Sequence, residues 1–267
     1  MDAIASKTAR YRWMVLAVVW TSYLMGHLTR LGIGPLAPFL KDALHLSNTQ
    51  LGSLVSATGI TYGPTMIVAG WLADRIGVRW TLVIGTLITG LCMIAVFFAP
   101  SYRVIFIILV VSGLGTGCLF PSTVKAIILW FSPRERATVM GFNQSAMNVA
   151  GIIGAGLLPT IAITMDWKYG FLFVGFGALA LCLCSATLYR NPPREAAPVA
   201  ARDTYDSTPA KPSTTRLTIE LFKSRDIWML SLAGFFLCTV QFATITHLVL
   251  YLEESLFFST VTCSLVR

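Results

Sequence analysis

The chain has 267 residues, of which 55% are hydrophobic and only 12% charged, and its formal net charge is +8. Soluble domains carry about 25% charged residues, so this composition excludes an ordinary soluble domain and predicts that lipid surrounds much of the chain. A strongly basic chain is also typical of nucleic-acid binding, but the positions of its basic residues account for the charge in another way, as shown below.

Seven stretches reach the length of about 20 mostly apolar residues that a transmembrane helix needs. The first follows three basic residues and therefore resembles a signal peptide, but its length and the further spans behind it predict an uncleaved helix. Short turns separate the spans, and prolines at 35, 38, 100 and 133 are among their markers. The predicted helices are 13–35, 50–72, 80–99, 103–130, 138–163, 169–189 and 227–251.

Four regions follow from this pattern. Residues 1–12 form a short N-terminus, and residues 13–189 form a bundle of six transmembrane helices. Residues 190–225 are rich in Pro, Thr, Ala and charge, which is typical of a polar linker. Residues 226–267 hold a seventh helix and a tail. The predicted fold class is an all-α membrane protein.

The basic residues predict the orientation in the membrane. If the N-terminus is cytoplasmic, the inner loops hold 14 Lys and Arg residues, whereas the outer loops hold only three, which are Lys41, Arg103 and Lys168. This bias predicts a multi-pass protein of a bacterial inner membrane with a cytoplasmic N-terminus. The same bias explains the positive net charge. The expected partner of the chain is therefore the lipid bilayer, and no nucleic acid is expected.

The turn between the second and third helices has the most specific motif. It reads Gly70-Trp-Leu-Ala-Asp74-Arg75-Ile-Gly77-Val-Arg79 and resembles the signature loop of the major facilitator superfamily. We expect Gly70 to allow close helix packing and Gly77 to adopt the positive φ of a tight turn. We expect Asp74 to lie at a helix N-terminus or to pair with an arginine.

A second charged cluster lies between the fourth and fifth helices and contains Glu135 and Arg136. Many family members have a similar Glu-Arg pair at this place. The resemblance implies that the cluster joins Asp74 and Arg75 to hold the inner face closed. The alternative is that these residues only add to the positive charge of the inner loops.

The resemblance covers residues 10–255 and implies a secondary transporter that carries a small organic solute by alternating access between two six-helix halves. The chain resembles the first half plus the first helix of the second, so we expect it to be cut off after that helix and not to transport alone. Three alternatives stay open: a non-transporting fragment from a frameshift or early stop, a membrane sensor on a transporter scaffold, and a separate chain that supplies the missing helices.

The first helix has two polar residues on one face, His27 and Arg30. The segment from Arg30 to Pro38 resembles the end of helix 1 in organic-anion and sugar-phosphate carriers, where such an arginine meets the negative charge of the substrate. A guanidinium suits a carboxylate or phosphate because it binds both oxygens at once. Alternatively, Arg30 snorkels outward or ties helices together, and His27 is a hydrogen-bonded packing residue.

Other intramembrane polar residues are candidates for the same substrate site. Each of them either lines a cavity or forms hydrogen bonds between helices, and the sequence does not choose between these roles. They are Tyr62 on the second helix, Gln144 and Asn148 on the fifth, and Gln241 and His247 on the seventh. Lys125, near the inner end of the fourth helix, is expected to extend to the membrane interface.

No catalytic chemistry is indicated. The sequence shows no nucleophile–base set, phosphate-binding loop or metal-ligand cluster, and its six cysteines lie mostly in apolar runs, as buried packing residues do. We therefore expect neither an enzyme nor a cofactor or metal. None of the seven spans has a carboxylate in its interior, and Thr29 stands where anion–proton symporters of the family often carry an acidic residue. Both observations weaken the case for proton coupling in this half.

Overall fold

The structure is a computed structural model that describes residues 2–190, 223–237 and 239–240, with side chains from Arg10 onward in the first of these ranges. The chain divides into two units, residues 1–201 and 202–267. All regular structure in the described residues is helical, which confirms the predicted all-α class. The helices of the first unit are α1 (Asp2–Leu31), α2 (Ile33–Leu44), α3 (Asn48–Arg75), α4 (Val78–Phe97), α5 (Tyr102–Trp130), α6 (Pro133–Thr164) and α7 (Trp167–Leu188).

The first predicted span is broken into two helices at Gly32. A Cβ atom at this position would lie 2.5 Å from the carbonyl oxygen of Leu28 and 2.6 Å from a methyl carbon of Leu158 on α6, so only glycine fits. The turn predicted at Pro35 and Pro38 is wrong, because both residues lie within α2. Pro35 occupies the first turn of a helix, where its missing N–H would have no intrahelical partner.

The other helices begin and end close to their predicted limits, and polar residues define several of these ends. Ser47 and Gln50 form a capping box at the start of α3, and Ser132 and Glu135 form another at the start of α6. Pro133 is the first residue of α6, as expected of a proline at that position. Asp166 caps α7 by accepting a hydrogen bond from the backbone of Lys168 at 3.0 Å.

Helix α5 packs closely against both α3 and α4 through a row of glycines. At Gly117 an added Cβ would lie 2.7 Å from the Cβ of Thr65 on α3. At Gly115 it would lie 2.7 Å from the carbonyl oxygen of Gly85 on α4. Helices α4 and α7 meet in the same manner at Gly90 and Gly175. Small residues at such crossings let helix backbones approach closely where lipid offers no hydrophobic driving force.

Four helices in the described residues, α4 to α7, are long and apolar enough to cross a membrane. Helices α1 and α3 carry the polar residues described in the next subsection, which lowers their hydrophobicity. In the second unit, residues 225–237 and 239–240 are helical. They form the first part of the predicted seventh helix, and the rest of that prediction lies outside the described residues.

Candidate functional site

A small, partly open cavity of about 10 Å³, which is room for roughly one water molecule, lies between α1, α3 and α5. Two of the substrate-site residues predicted on α1 line it, together with Tyr62 from α3. The full lining is Tyr23, Gly26, His27, Arg30, Tyr62, Thr116 and Leu119. The structure therefore brings His27 and Arg30, which the sequence placed on the first helix, together with Tyr62, which it placed on the second.

Arg30 lies over the ring of Tyr62, with its guanidinium carbon 4.1 Å from the ring centroid. This contact links α1 to α3, so the interpretation that Arg30 ties helices together describes part of its role. A cation over an aromatic face gains about 0.5–2 kcal/mol. In the described residues the only ion pairs are Arg12 with Glu135 and Lys125 with Asp74. Arg30 thus has no carboxylate partner in this part of the chain.

His27 is only 6% exposed, and its ring packs edge-to-face against the ring of Tyr23, with the ring centroids 4.4 Å apart. The Nε2 atom of His27 is buried and has no hydrogen-bond partner. The hydroxyl of Tyr23 donates to Oε1 of Gln144 at 3.4 Å, which connects the cavity wall to α6. Because buried polar atoms are normally paired, the free nitrogen marks a place where a further hydrogen bond can form.

Two lining residues, Tyr23 and Thr116, were not predicted as site residues. Tyr23 lies four residues before His27 and hence on the same helix face, which is a signal that the sequence contained. Thr116 is 2% exposed and donates to backbone carbonyls of its own helix, so its position reflects the packing of α5. Nothing local in the sequence distinguishes Thr116 from the other hydroxyl residues of α5.

The remaining predicted site residues do not line this cavity. Gln144 and Asn148 lie on α6 and are exposed, and only Gln144 reaches the cavity wall, through Tyr23. The neighbouring Asn143 is 3% exposed, with an unpaired Oδ1. Gln241 and His247 lie outside the described residues.

At the end of the bundle that holds most of its Lys and Arg residues, here called the basic end, Asp74 pairs with Lys125. The Lys125 Nζ atom is 2.6 Å from Oδ1 of Asp74 and also donates to the carbonyl of Ala73 at 2.7 Å. The expectation for Asp74 is corrected here, because Asp74 neither begins a helix nor pairs with arginine; Lys125, which was expected to extend to the membrane interface, ends on Asp74. Asp74 lies in the last turn of α3, and the ammonium satisfies both its carboxylate and a terminal carbonyl.

The predicted cluster of Glu135 with Asp74 and Arg75 is not formed. Glu135 instead pairs with Arg12 at 3.2 Å. The hydroxyl and backbone N–H of Ser132, together with Arg12, hold the pKa of Glu135 below its usual range, and the hydroxyl has the largest effect. Arg136 donates to the carbonyls of Ile128 and Phe131 at the end of α5.

The signature loop confirms one of the two glycine predictions. Gly77 has φ 86°, a positive value that other residues rarely adopt. Among the described residues, a Cβ added at Gly70 would meet no atom within 4 Å, so the expected close packing is not formed with another helix of this part of the chain. Arg75 lies over the ring of Trp71 at 4.3 Å, and Arg79 donates to the carbonyl of Ala186 on α7.

Comparison with known proteins connects this arrangement to transporters. Residues 19–266 match the sequence pattern of the Major Facilitator Superfamily. The chain is similar to a probable sulfoacetate transporter of Cupriavidus necator, at 27% identity over 251 residues, which are 91% of this chain and 58% of that protein. It is also similar to a glycerol-3-phosphate transporter of Haemophilus influenzae, at 25% identity over 279 residues, with 95% of this chain and 58% of that protein covered.

Another relative is a membrane sensor protein of Salmonella typhimurium, at 25% identity over 189 residues, which cover 70% of this chain and 43% of that protein. Among solved structures, a bacterial homologue of the human lysosomal transporter Spinster, inward-facing and unoccupied, shares the fold. Its TM-score is 0.70 at 18% identity, over 96% of this chain and 58% of that one. The chain spans 58% of the length of the sulfoacetate transporter, of the glycerol-3-phosphate transporter and of the Spinster homologue.

Proposed function

The chain belongs to the Major Facilitator Superfamily, and we propose that it serves in the transport of a small organic anion, with Arg30 as the contact to the negative charge of that anion. The family makes the chain part of a multi-pass membrane protein that moves solutes rather than catalysing a reaction. The substrate class, alternating access and the roles of individual residues are our proposals.

The observation that carries this proposal is the surroundings of Arg30, which contain no negative charge in the described residues. A charged arginine inside a membrane span costs free energy, about 2.5–3.5 kcal/mol at the helix centre on insertion scales, and Arg30, about 27 Å along α1 from Arg12, lies in the outer half of the span. Arg30 lines a cavity and has an aromatic ring but no carboxylate beside it in the described residues. An anionic solute would supply the missing negative charge. Two relatives, a probable sulfoacetate transporter and a glycerol-3-phosphate transporter, support an anionic substrate.

The direct test uses the complete protein that carries these residues, reconstituted in liposomes after any co-purifying chain has been identified. Uptake of radiolabelled sulfoacetate and glycerol-3-phosphate is measured, with xylose as a neutral solute. We expect saturable uptake of at least one anion and none of xylose. Preferential uptake of the neutral solute would contradict the proposal.

A membrane sensor is the second candidate function, because one relative bears that description. A sensor would bind the anion at the same cavity and pass the signal to a partner protein. Binding and uptake separate the two functions. Saturable anion binding to the purified protein, without uptake into liposomes, would favour the sensor.

We also propose that the basic end of the bundle faces the cytoplasm. Contacts between Tyr11 and Leu188, and between Arg12 and Glu135, place the start of α1, the end of α7 and the α5–α6 turn together. In residues 10–190 this end holds eight basic and two acidic residues, whereas the opposite end holds three basic and two acidic. Loops rich in Lys and Arg remain on the cytoplasmic side.

Reporter fusions test this orientation. A reporter that is active only in the cytoplasm is inserted after Trp167 in one fusion and near Pro209 in another. We expect the first fusion to be silent and the second to be active, because the α6–α7 turn lies at the end opposite the basic one. The reverse pattern would invert the proposed topology.

Asp74 provides a separate prediction about cycling between conformations. Asp74→Asn removes the negative charge beside Lys125, while the cavity residue Tyr62 lies 12 residues away on the same helix, or about 18 Å. We expect solute exchange to slow by about tenfold, which corresponds to about 1.4 kcal/mol, while the binding affinity changes far less. Exchange and binding are measured separately, with Asp42→Asn at the opposite end as the control. Normal exchange in Asp74→Asn would argue against a role in gating.

A further inference from the structure

Two arginines lie close together at the basic end of the bundle, beside the N-terminal part of α1, the start of α4 and the end of α7. Arg79, the second residue of α4, donates to the carbonyl of Ala186 in the last turn of α7. Arg190 lies two residues beyond the end of α7 and is exposed. The hydroxyl of Tyr11 on α1 donates to the carbonyl of Leu188, so side chains of α1 and α4 both hold the end of α7.

The charges of both arginines act on the hydroxyl of Tyr11. Burial raises the pKa of this hydroxyl, whereas the backbone and guanidinium of Arg190 and the guanidinium of Arg79 act in the opposite direction. Such an effect requires that the charges lie near the hydroxyl, because electrostatic interactions weaken with distance and are screened by salt. Arg79 and Arg190 therefore form one positively charged site around Tyr11, here called the arginine pair.

No carboxylate neutralises the arginine pair within the described residues of the first unit. Residues 10–190 contain four acidic residues, of which two form ion pairs with other basic residues. The other two, Asp42 and Asp166, lie at the opposite end of the bundle. The Nε atom of Arg79 is buried and has no hydrogen-bond partner among the described residues. Because like charges repel and buried donors are normally paired, the arginine pair is suited to hold an anion.

The surface beside the arginine pair is apolar and exposed. Trp80 directly follows Arg79, is 52% exposed, and has its ring centroid 5.4 Å from the guanidinium carbon of Arg79. Leu87 and Leu91 continue the same side of α4, and Leu183 is exposed on the neighbouring α7. Both helices are long and apolar enough to cross a membrane. This surface therefore faces lipid acyl chains, with the tryptophan at the membrane–water interface, where tryptophan is enriched.

We propose that the arginine pair binds the phosphate headgroup of an anionic phospholipid whose acyl chains lie along the exposed sides of α4 and α7. A phosphodiester shares its negative charge between two oxygens, which a guanidinium can hold with two parallel hydrogen bonds. A free phosphate would meet the same charges but would leave the apolar surface at Trp80 uncovered. The combination of a cationic site and an adjoining apolar surface thus matches a lipid.

This lipid site is separate from the cavity between α1, α3 and α5. Arg30 lies 19 residues beyond Tyr11 on α1, or about 28 Å along the helix axis. A headgroup at the arginine pair would reduce the repulsion between the two guanidinium groups and would stabilise the end of α7, which Arg79 already holds. The inference does not depend on the solute that the complete protein carries.

Native mass spectrometry of the complete protein in detergent tests the proposal, because it counts individual lipids as they bind. The probes are dioleoyl-phosphatidylglycerol, which is anionic, and dioleoyl-phosphatidylcholine, which has no net charge. We expect one phosphatidylglycerol molecule to bind more tightly than further copies and more tightly than phosphatidylcholine. An excess of inorganic phosphate should not displace it, since phosphate lacks the acyl chains.

Variants locate the bound lipid. Arg190→Gln should lower the affinity for the first phosphatidylglycerol by about fivefold, and the double variant Arg79→Gln, Arg190→Gln by about 25-fold. Arg134→Gln is the matched control, because Arg134 is also exposed at the basic end, at the start of α6, and the change removes the same charge. Arg190→Gln alters only an exposed side chain beyond α7, so it decides the question if the double variant does not fold.

Three results would overturn the inference. The first is equal affinity of the wild-type protein and Arg190→Gln for phosphatidylglycerol. The second is an equal loss of affinity in Arg134→Gln, which would mean that the lipid follows the general charge of the basic end. The third is displacement by inorganic phosphate, which would make a small anion the occupant. None of these results bears on anion transport, and failure of anion uptake would leave the lipid site untouched.

Discussion

Replacing Arg30 by lysine is expected to lower the affinity for an anionic solute by about tenfold or more, which corresponds to at least about 1.4 kcal/mol. Lysine keeps the positive charge but loses the planar fork that can hold two oxygens of a carboxylate or phosphate. It also loses the flat surface that lies over the ring of Tyr62. Arg30→Gln removes the charge itself, so its effect should be larger still.

Competition binding on the complete protein measures both variants with one anionic and one neutral solute. The control is Arg103→Gln, because Arg103 is exposed at the start of α5 at the opposite end from the basic one. It should bind the anion like the wild-type protein. Unchanged affinity in both Arg30 variants would mean that the arginine only extends to the interface or ties α1 to α3.

Gly115→Ala is expected to have the largest effect on stability. Its Cβ would lie 2.7 Å from the carbonyl oxygen of Gly85 and 2.8 Å from the backbone nitrogen of Thr89, so the backbones of α4 and α5 would have to separate. It would also press on the Thr89 hydroxyl, which donates to Gly85. Overpacking of this kind typically costs about 1–3 kcal/mol, and because two backbones resist here we expect the upper part of that range or more.

The measurement is thermal unfolding of the purified protein in detergent. Gly141→Ala on α6 is the matched control, because an added Cβ there meets no atom within 4 Å. It should leave the unfolding temperature unchanged or raise it slightly, since alanine is the better helix former. Equal unfolding temperatures for the two variants would show that α4 and α5 are packed less closely than described.

Local features of the sequence were sufficient for most of the helices and for one turn. Apolar stretches of about 20 residues, the length that one membrane crossing requires, predicted where the helices of the first unit lie, apart from the break at Gly32 and the short helix α2 behind it. The spacing of the signature loop predicted the positive φ of Gly77, since a tight turn at that point tolerates few other residues. The separation of His27 and Arg30 placed them on one helix face, and the structure shows that both line the cavity.

Partners that are distant along the chain were decided only by the tertiary structure. Lys125 reaches Asp74 because α3 and α5 pack together, and Glu135 reaches Arg12 across 123 residues. The break at Gly32 likewise depends on Leu158 of α6, which leaves no room for a side chain there. Local sequence determines whether a segment is helical, whereas the pairing of side chains depends on which helices become neighbours, and that follows from the packing of the whole bundle.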